Sequence, residues 1–187
     1  MVFRFFLLLV IAFPAFAAEI AGVKIEEKEK FGNGELTLNG AGLRKRAFFQ
    51  VYAIGLYLPE KKALAADAIA APGPKRVSIH MLRDVDADQF SGALADGIKD
   101  NHGDAESKAL EPRVKQLASI MAEMKEAKKG MRITLDWLPT GTQLTVDGKA
   151  SGAPIPGEDF YRALLRIWLG DRPVQDDLKK ALLGEKQ

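Results

Sequence analysis

The 187-residue sequence contains no cysteine, which excludes disulfide bonds, thiolate metal sites and a cysteine nucleophile. Histidine is almost as scarce, and the spacing of His80 and His102 does not predict a metal site. The sequence also lacks a serine nucleophile elbow, a glycine-rich phosphate loop and a zinc-protease helix motif. We therefore expect no metal and no cofactor, and the fold must be stabilised by a packed core.

An excess of charge of one sign is also missing. The chain has 27 basic and 25 acidic residues, which gives a formal net charge of +2. A nucleic-acid-binding domain is expected to be strongly basic. The composition therefore predicts that nucleic acid is not a partner.

Only the N-terminal residues form a long apolar run. A basic start at residues 1–4 precedes an apolar stretch at 5–13 and small residues at 15–17, the pattern of a secretory signal peptide. The run is shorter than the ~20 residues of a transmembrane helix, and no later segment approaches that length. We expect a signal peptide over residues 1–17 and one domain over 18–187 without a membrane span after cleavage. The protein would be exported, to the periplasm in a Gram-negative cell and otherwise outside the cell.

Hydrophobic periodicity predicts strands near both ends of the chain and helices in the middle and at the C-terminal end. Strands are predicted over residues 35–38, 42–58, 76–81, 131–137 and 144–146, the last before an Asp147-Gly148 turn. Helices are predicted over 61–71, from an Asp86 cap, from Pro112 to Gly130, over 160–168 and after Pro173. This order predicts an α+β fold in which a large antiparallel sheet packs against a layer of helices.

The most informative segment is 42–58, which we interpret as one long strand that follows a turn at residues 39–42. Side chains alternate along a strand, so Arg44, Arg46, Phe48 and Tyr52 are expected on one face. Two guanidinium groups beside a tyrosine hydroxyl suit a carboxylate or an enolate. The alternative is that both arginines occupy the solvated start of a core strand.

Five segments together resemble the bacterial chalcone isomerase-like family. They are residues 38–44, 51–58, 84–90 and 155–170 and the tail at 171–179. The resemblance covers nearly all of the chain after residue 17. It implies an open-faced β-sandwich, with a ligand cleft between a large antiparallel sheet and a helical layer.

The resemblance also implies roles for particular positions. Plant enzymes of this fold cyclise chalcones with an arginine that stabilises negative charge, and related plastid proteins bind fatty acids through an arginine and a tyrosine. By position, Arg44 matches the arginine, with Arg46 as the alternative, and Tyr52 matches the tyrosine of the fatty-acid binders. Phe90, Gly97 and Ile167 stand where the plant enzyme has polar side chains.

These observations favour an exported, non-catalytic protein that binds a small amphipathic carboxylate such as a fatty acid. The candidate ligand-binding residues are Arg44, Arg46, Phe48, Tyr52, Phe90 and Ile167. One alternative is an intramolecular lyase or isomerase that acts on a chalcone-like α,β-unsaturated carbonyl, with a flavonoid-like ligand and Arg44 as the catalytic residue. Another is a structural or partner-binding envelope protein whose cleft is filled by Phe48, Tyr52, Phe90 and Trp168.

Overall fold

The computed structural model describes residues 18–185, so the predicted signal peptide lies outside the described residues. The strands are β1 (Ala18–Ile20), β2 (Val23–Ile25), β3 (Lys28–Phe31), β4 (Gly34–Arg46), β5 (Phe49–Leu58), β6 (Lys75–Met81), β7 (Val85–Asp86), β8 (Glu126–Ala127), β9 (Arg132–Leu138), β10 (Gly141–Val146) and β11 (Lys149–Ile155). The helices are α1 (Ala65–Ala70), α2 (Ala87–Asp100), α3 (Asp104–Ala122), α4 (Glu158–Leu169) and α5 (Asp176–Leu182).

Seven strands form one antiparallel sheet in the order β11-β10-β9-β6-β5-β4-β3. Alternate apolar side chains of β5, β6 and β9 form the main core with the helices, which cover one face of the sheet. On the other face, the β1–β2 hairpin covers a smaller apolar cluster that includes Leu36, Leu38 and Tyr57. The α+β prediction, a large antiparallel sheet packed against helices, is therefore confirmed.

The prediction of one long strand over residues 42–58 is wrong. The chain reverses at Ala47 and Phe48, and β4 pairs with β5 as a hairpin. Ala47 makes this turn with a φ of 52°, in the left-handed region that glycine or asparagine usually occupies. Two-residue hairpin turns usually contain glycine, asparagine or aspartate. Ala47 and Phe48 are none of these, so the sequence did not predict the turn.

The turn predicted at residues 39–42 is also wrong, because β4 continues through it. Asn39 is an extra residue in β4, which makes a β-bulge. Its buried side-chain amide accepts from Lys62 N at 2.6 Å and donates to Lys62 O at 3.0 Å and to Leu182 O at 2.7 Å. A Cβ atom on Gly40 would lie 2.1 Å from Ala181 O. The small residues here permit the close approach of α5 rather than a chain reversal.

Local sequence signals position several other elements correctly. Asp86 caps α2, since its side chain accepts hydrogen bonds from Asp88 N and Gln89 N at 2.9 and 3.1 Å. The Asp147-Gly148 turn joins β10 to β11 with φ angles of 48° and 79°. These predictions depended on chemistry within a few residues of the chain, and they are confirmed.

Helix α3 differs from its predicted bounds at both ends. It begins at Asp104, so that Pro112 lies inside the helix, where proline forgoes a single backbone hydrogen bond. Acidic Asp104 and Glu106 in the first turn favour this earlier start through the helix dipole. The helix ends at Ala122, because Lys125 adopts a φ of 61° and the chain enters β8, which pairs with β7.

Candidate functional site

A cleft of about 850 Å³ lies between the β4–β5 hairpin, helix α2 and the loop that joins α4 to α5. The buried residues of its floor are Tyr52, Phe90, Leu94, Gly97 and Ile167. The exposed charged residues of its rim are Arg46, Asp96, Asp100 and Arg172. The cleft therefore has a mostly apolar floor and a charged rim, and its size falls within the ~300–1,000 Å³ of small-molecule sites.

A β-bulge places Arg44 opposite Tyr52. Lys45 pairs with Gln50, but the next pair is Arg44 with Tyr52, so Val51 is an extra residue in β5. With regular pairing and no bulge, Arg44 would lie opposite Val51. Directly opposite residues of an antiparallel pair point to the same face. Arg44 and Tyr52 thus share a face through strand pairing, and not along one strand as the sequence suggested.

The hydroxyl of Tyr52 is oriented by a buried tryptophan. Trp168 Nε1 donates to Tyr52 Oη at 3.0 Å, and since an indole N–H can only donate, the hydroxyl is the acceptor. Burial raises the pKa of Tyr52, although the Trp168 hydrogen bond and the positive charge of Arg44 oppose this shift. The hydroxyl thus keeps its proton at neutral pH. Within residues 18–185 no hydrogen bond uses that proton, so it is available to a ligand.

Gln175, at the start of α5, holds the arginine strand in place. Its side-chain amide donates to Leu43 O at 2.9 Å and accepts from Lys45 N at 2.8 Å, as a neighbouring strand would. Gln175 Oε1 also accepts from Arg44 Nη1 at 3.3 Å, and the same Nη1 donates to Lys45 O. In the described part of the chain, these bonds of Arg44 use Nη1 alone. The guanidinium also donates to the Tyr52 hydroxyl, and because it has five N–H donors, the hydrogens that these bonds do not use remain for an anion.

Two residues of the cleft floor, Gly97 and Ile167, are coupled by packing. A Cβ atom on Gly97 would lie 2.8 Å from Ile167 Cγ2, closer than real contacts allow. Ile167 is 1% exposed and cannot move away easily, because its β-branched side chain has restricted rotamers. Helices α2 and α4 therefore meet at Gly97, and the space for a side chain at 97 is filled by Ile167.

The structure brings five of the six predicted ligand-binding residues to the cleft, where Phe48 is absent from the lining. Phe48 lies at the hairpin turn with 85% of its surface exposed. Tyr52 and Phe90 form part of the floor, with ring centroids 6.1 Å apart, and the buried Trp168 lies behind them, hydrogen-bonded to Tyr52. These three side chains fill the interior, but the cleft beside them stays open.

Sequence reasoning gave no site role to Trp168, Gln175 or Arg172. Trp168 lay on a predicted apolar stripe, and a buried indole N–H needs an acceptor, so a polar partner on the sheet was foreseeable. Gln175 and Arg172 lie in the tail segment that contributed to the family resemblance. Gln175 contacts β4, and the backbone of Arg172 bonds to Asn101 at the end of α2. Both contacts depend on how the chain after α4 docks, which no local pattern specifies.

Within residues 18–185, no three histidine, aspartate or glutamate side chains converge as a metal ion would require. None of the helices in this part of the chain has the length and apolar character needed to cross a bilayer.

Comparisons with known proteins agree with the fold. The sequence matches the family model described as chalcone isomerase-like over residues 17–184. The structure is similar to the crystal structure of a fatty-acid binding protein of Arabidopsis thaliana, with a TM-score of 0.68 and 15% sequence identity over 87% of this chain and 92% of that one. No curated protein matches the sequence.

Proposed function

The chain belongs to the chalcone isomerase-like family, and on that premise we propose that it is an exported, non-catalytic protein that binds a small amphipathic carboxylate, such as a fatty acid. The carboxylate binds between Arg44 and Tyr52. The observation that carries this proposal is the pair of unused donors, a guanidinium edge and a hydroxyl proton, at one end of an open cleft.

The charged end fits a carboxylate better than a neutral group. Arg44 supplies a planar set of N–H donors, and Tyr52 supplies one O–H donor from the directly opposite strand position. Arg46 lies on the exposed rim of the same cleft and adds positive charge. A carboxylate accepts hydrogen bonds through both oxygens, so it satisfies both donors at once.

The rest of the cleft suits a short alkyl chain. Next to the charged end, Val51, Val85, Phe90 and Val174 contribute apolar surface from four different elements. Because the floor is closed by buried side chains, the alkyl chain lies along the cleft and not deep inside the sheet–helix interface. A medium-length chain such as that of dodecanoate is the expected fit.

Binding is favoured over catalysis by the chemistry of the floor. A chalcone cyclisation needs polar groups that order water and the attacking phenol. Phe90 and Ile167 are apolar, and Gly97 has no side chain, so these positions offer no such group. Arg44 alone supplies charge stabilisation, which serves a bound anion equally well.

The test is calorimetric titration of the purified protein with dodecanoate. Arg44→Ala should weaken binding about tenfold or more, because charge-assisted hydrogen bonds contribute about 1.5–3 kcal/mol. Lys45→Ala is the matched control, since Lys45 is an exposed neighbour that does not line the cleft. Methyl dodecanoate, which lacks the charge, should bind weakly to both variants and to the wild type.

Two results would contradict the proposal. Equal affinity of the wild type and the Arg44→Ala, Arg46→Ala, Tyr52→Phe variant would remove the charged end from binding. Turnover of a chalcone above its spontaneous rate, lost in Arg44→Ala, would instead support the lyase. Export is tested separately, by fractionating cells that express the full-length chain and comparing its mass with that of a chain lacking residues 1–17.

A further inference from the structure

The turn of the β4–β5 hairpin presents two adjacent phenylalanines to solvent. Phe48 is 85% exposed and Phe49 is 47% exposed, and their ring centroids lie 4.3 Å apart. In the described part of the chain, the other large hydrophobic side chain with such exposure is Leu64, at 65%. Burial of two aromatic rings would be strongly favourable, so their exposure at one tip calls for a partner.

Cations surround the two rings. Lys45 and Arg46 precede them on β4, and Arg83 Cζ lies 4.5 Å from the centroid of the Phe49 ring. The sequence has no acidic residue between Glu35 and Glu60. In residues 18–185, none of these three cations forms an ion pair.

Neighbouring loops at the same end of the sheet do not neutralise this charge. Lys128 and Lys129 are exposed in the loop before β9, which lies beside β6 and its following Arg83. The loop after β6 contributes one acid, Asp84, which accepts a hydrogen bond from Lys129 N at 2.7 Å and faces three cations, Arg83, Lys128 and Lys129. At the opposite end of the sheet, by contrast, Lys61 forms an ion pair with Glu27 at 2.8 Å.

We infer that this hairpin tip, defined as residues 45–49 with Arg83, docks on the surface of an anionic lipid bilayer. The two rings enter the region between headgroups, and the cations contact lipid phosphates. A second copy of the chain is a poorer occupant, because the two phenylalanine side chains of each copy bury at most about 500 Å², below the ~800 Å² that each partner contributes to a standard interface. A narrow convex tip suits a deformable surface.

Docking by this tip would place the cleft at the lipid surface. The same two strands that carry the tip also carry Arg44 and Tyr52, and Arg46 belongs to both the tip and the rim of the cleft. The inference needs only the tip, and so it stands independently of the proposed function. If both hold, the bilayer is the source or the destination of the bound carboxylate.

Co-sedimentation with vesicles tests the inference. The wild type should bind vesicles of phosphatidylglycerol and phosphatidylcholine more strongly than vesicles of phosphatidylcholine alone, and added salt should weaken that binding. Phe48→Ser with Phe49→Ser should reduce partitioning about tenfold or more, and Lys45→Gln with Arg83→Gln should remove the preference for anionic vesicles. Leu64→Ser is the matched control, because it removes an exposed apolar side chain beyond the other end of β5.

Equal partitioning of the wild type and the phenylalanine variant would overturn the inference. The inference would also be overturned if size-exclusion chromatography with light scattering showed a dimer for the wild type and a monomer for the phenylalanine variant, while both bound vesicles equally. Dodecanoate titration of the wild type without vesicles separates the two proposals. Vesicle binding without dodecanoate binding would support membrane docking by the tip and refute the proposed function. Dodecanoate binding without vesicle binding would refute membrane docking alone.

Discussion

Replacing Tyr52 with phenylalanine removes one oxygen atom from the interior and leaves the Trp168 N–H without its acceptor. Trp168 is 1% exposed, and this is the one hydrogen bond that its indole N–H makes within residues 18–185. A buried donor left unsatisfied costs about 1–3 kcal/mol of the free energy of unfolding. At ~2–4 °C per kcal/mol for a domain of about 150–250 residues, the melting temperature should fall by about 2–12 °C.

The same substitution should weaken carboxylate binding. The Tyr52 proton is unused within residues 18–185, and its loss removes one of the two donors at the charged end. Loss of a hydrogen bond to a charged ligand group corresponds to about 1.5–3 kcal/mol, or roughly tenfold or more in dissociation constant. Urea unfolding and dodecanoate calorimetry on the same preparation measure both effects.

Tyr161→Phe is the matched control for this prediction. Tyr161 is also 1% exposed, and its hydroxyl donates to Leu135 O at 3.0 Å, outside the cleft. It should lose stability of the same order, about 1–3 kcal/mol, and keep the wild-type affinity. The reasoning is refuted if Tyr52→Phe unfolds at the wild-type urea concentration and binds dodecanoate with the wild-type affinity.

Two further predictions concern packing and pH. Gly97→Ala should lower the free energy of unfolding in urea by about 1–2 kcal/mol, because the added methyl group is overpacked against Ile167. This cost exceeds the gain in helix propensity from glycine to alanine. The cost should be smaller when Gly97→Ala is made together with Ile167→Ala. Burial alone would raise the pKa of Glu29, but hydrogen bonds from Arg132 and Arg76 hold it below its usual value of about 4.5. The associated stability is present above about pH 4.5 and is lost as the pH falls through the lower folded value, so Glu29→Gln should flatten the loss of unfolding free energy as the pH falls below about 4.5. An unchanged acid limb in that variant would exclude Glu29 as its cause.

Where the sequence predicted structure well, the signal was local. The Asp86 cap, the Asp147-Gly148 turn and the apolar stripe of α4 each depend on residues within one or two turns of chain, and all three are present. The antiparallel sheet backed by helices followed from the order of such elements. The fold class was accessible because each step used neighbouring residues.

Where the sequence failed, a distant contact decided the conformation. Asn39 and Gly40 look like a turn, but α5 packs on them and β4 runs straight through. The Ala47 turn has no glycine or asparagine to announce it. Arg44 and Tyr52 were expected on one face because alternate residues of a single strand point the same way. In the structure they lie on two paired strands, and a one-residue bulge at Val51 places them opposite each other. The particular partners of Trp168 and Gln175 could not be identified for the same reason, since they are more than a hundred residues away in the sequence.

The contact between Gln175 and Arg44 also has a consequence for the order of folding. The two residues are 131 positions apart, and Asn39 and Leu182 are 143 apart. Contacts of such long sequence separation close large loops and form late unless strong local structure brings their ends together. During synthesis, the β4–β5 hairpin leaves the ribosome long before α5 exists. The proposed anion site therefore forms last, and a nascent chain can form its sheet before it can bind a ligand.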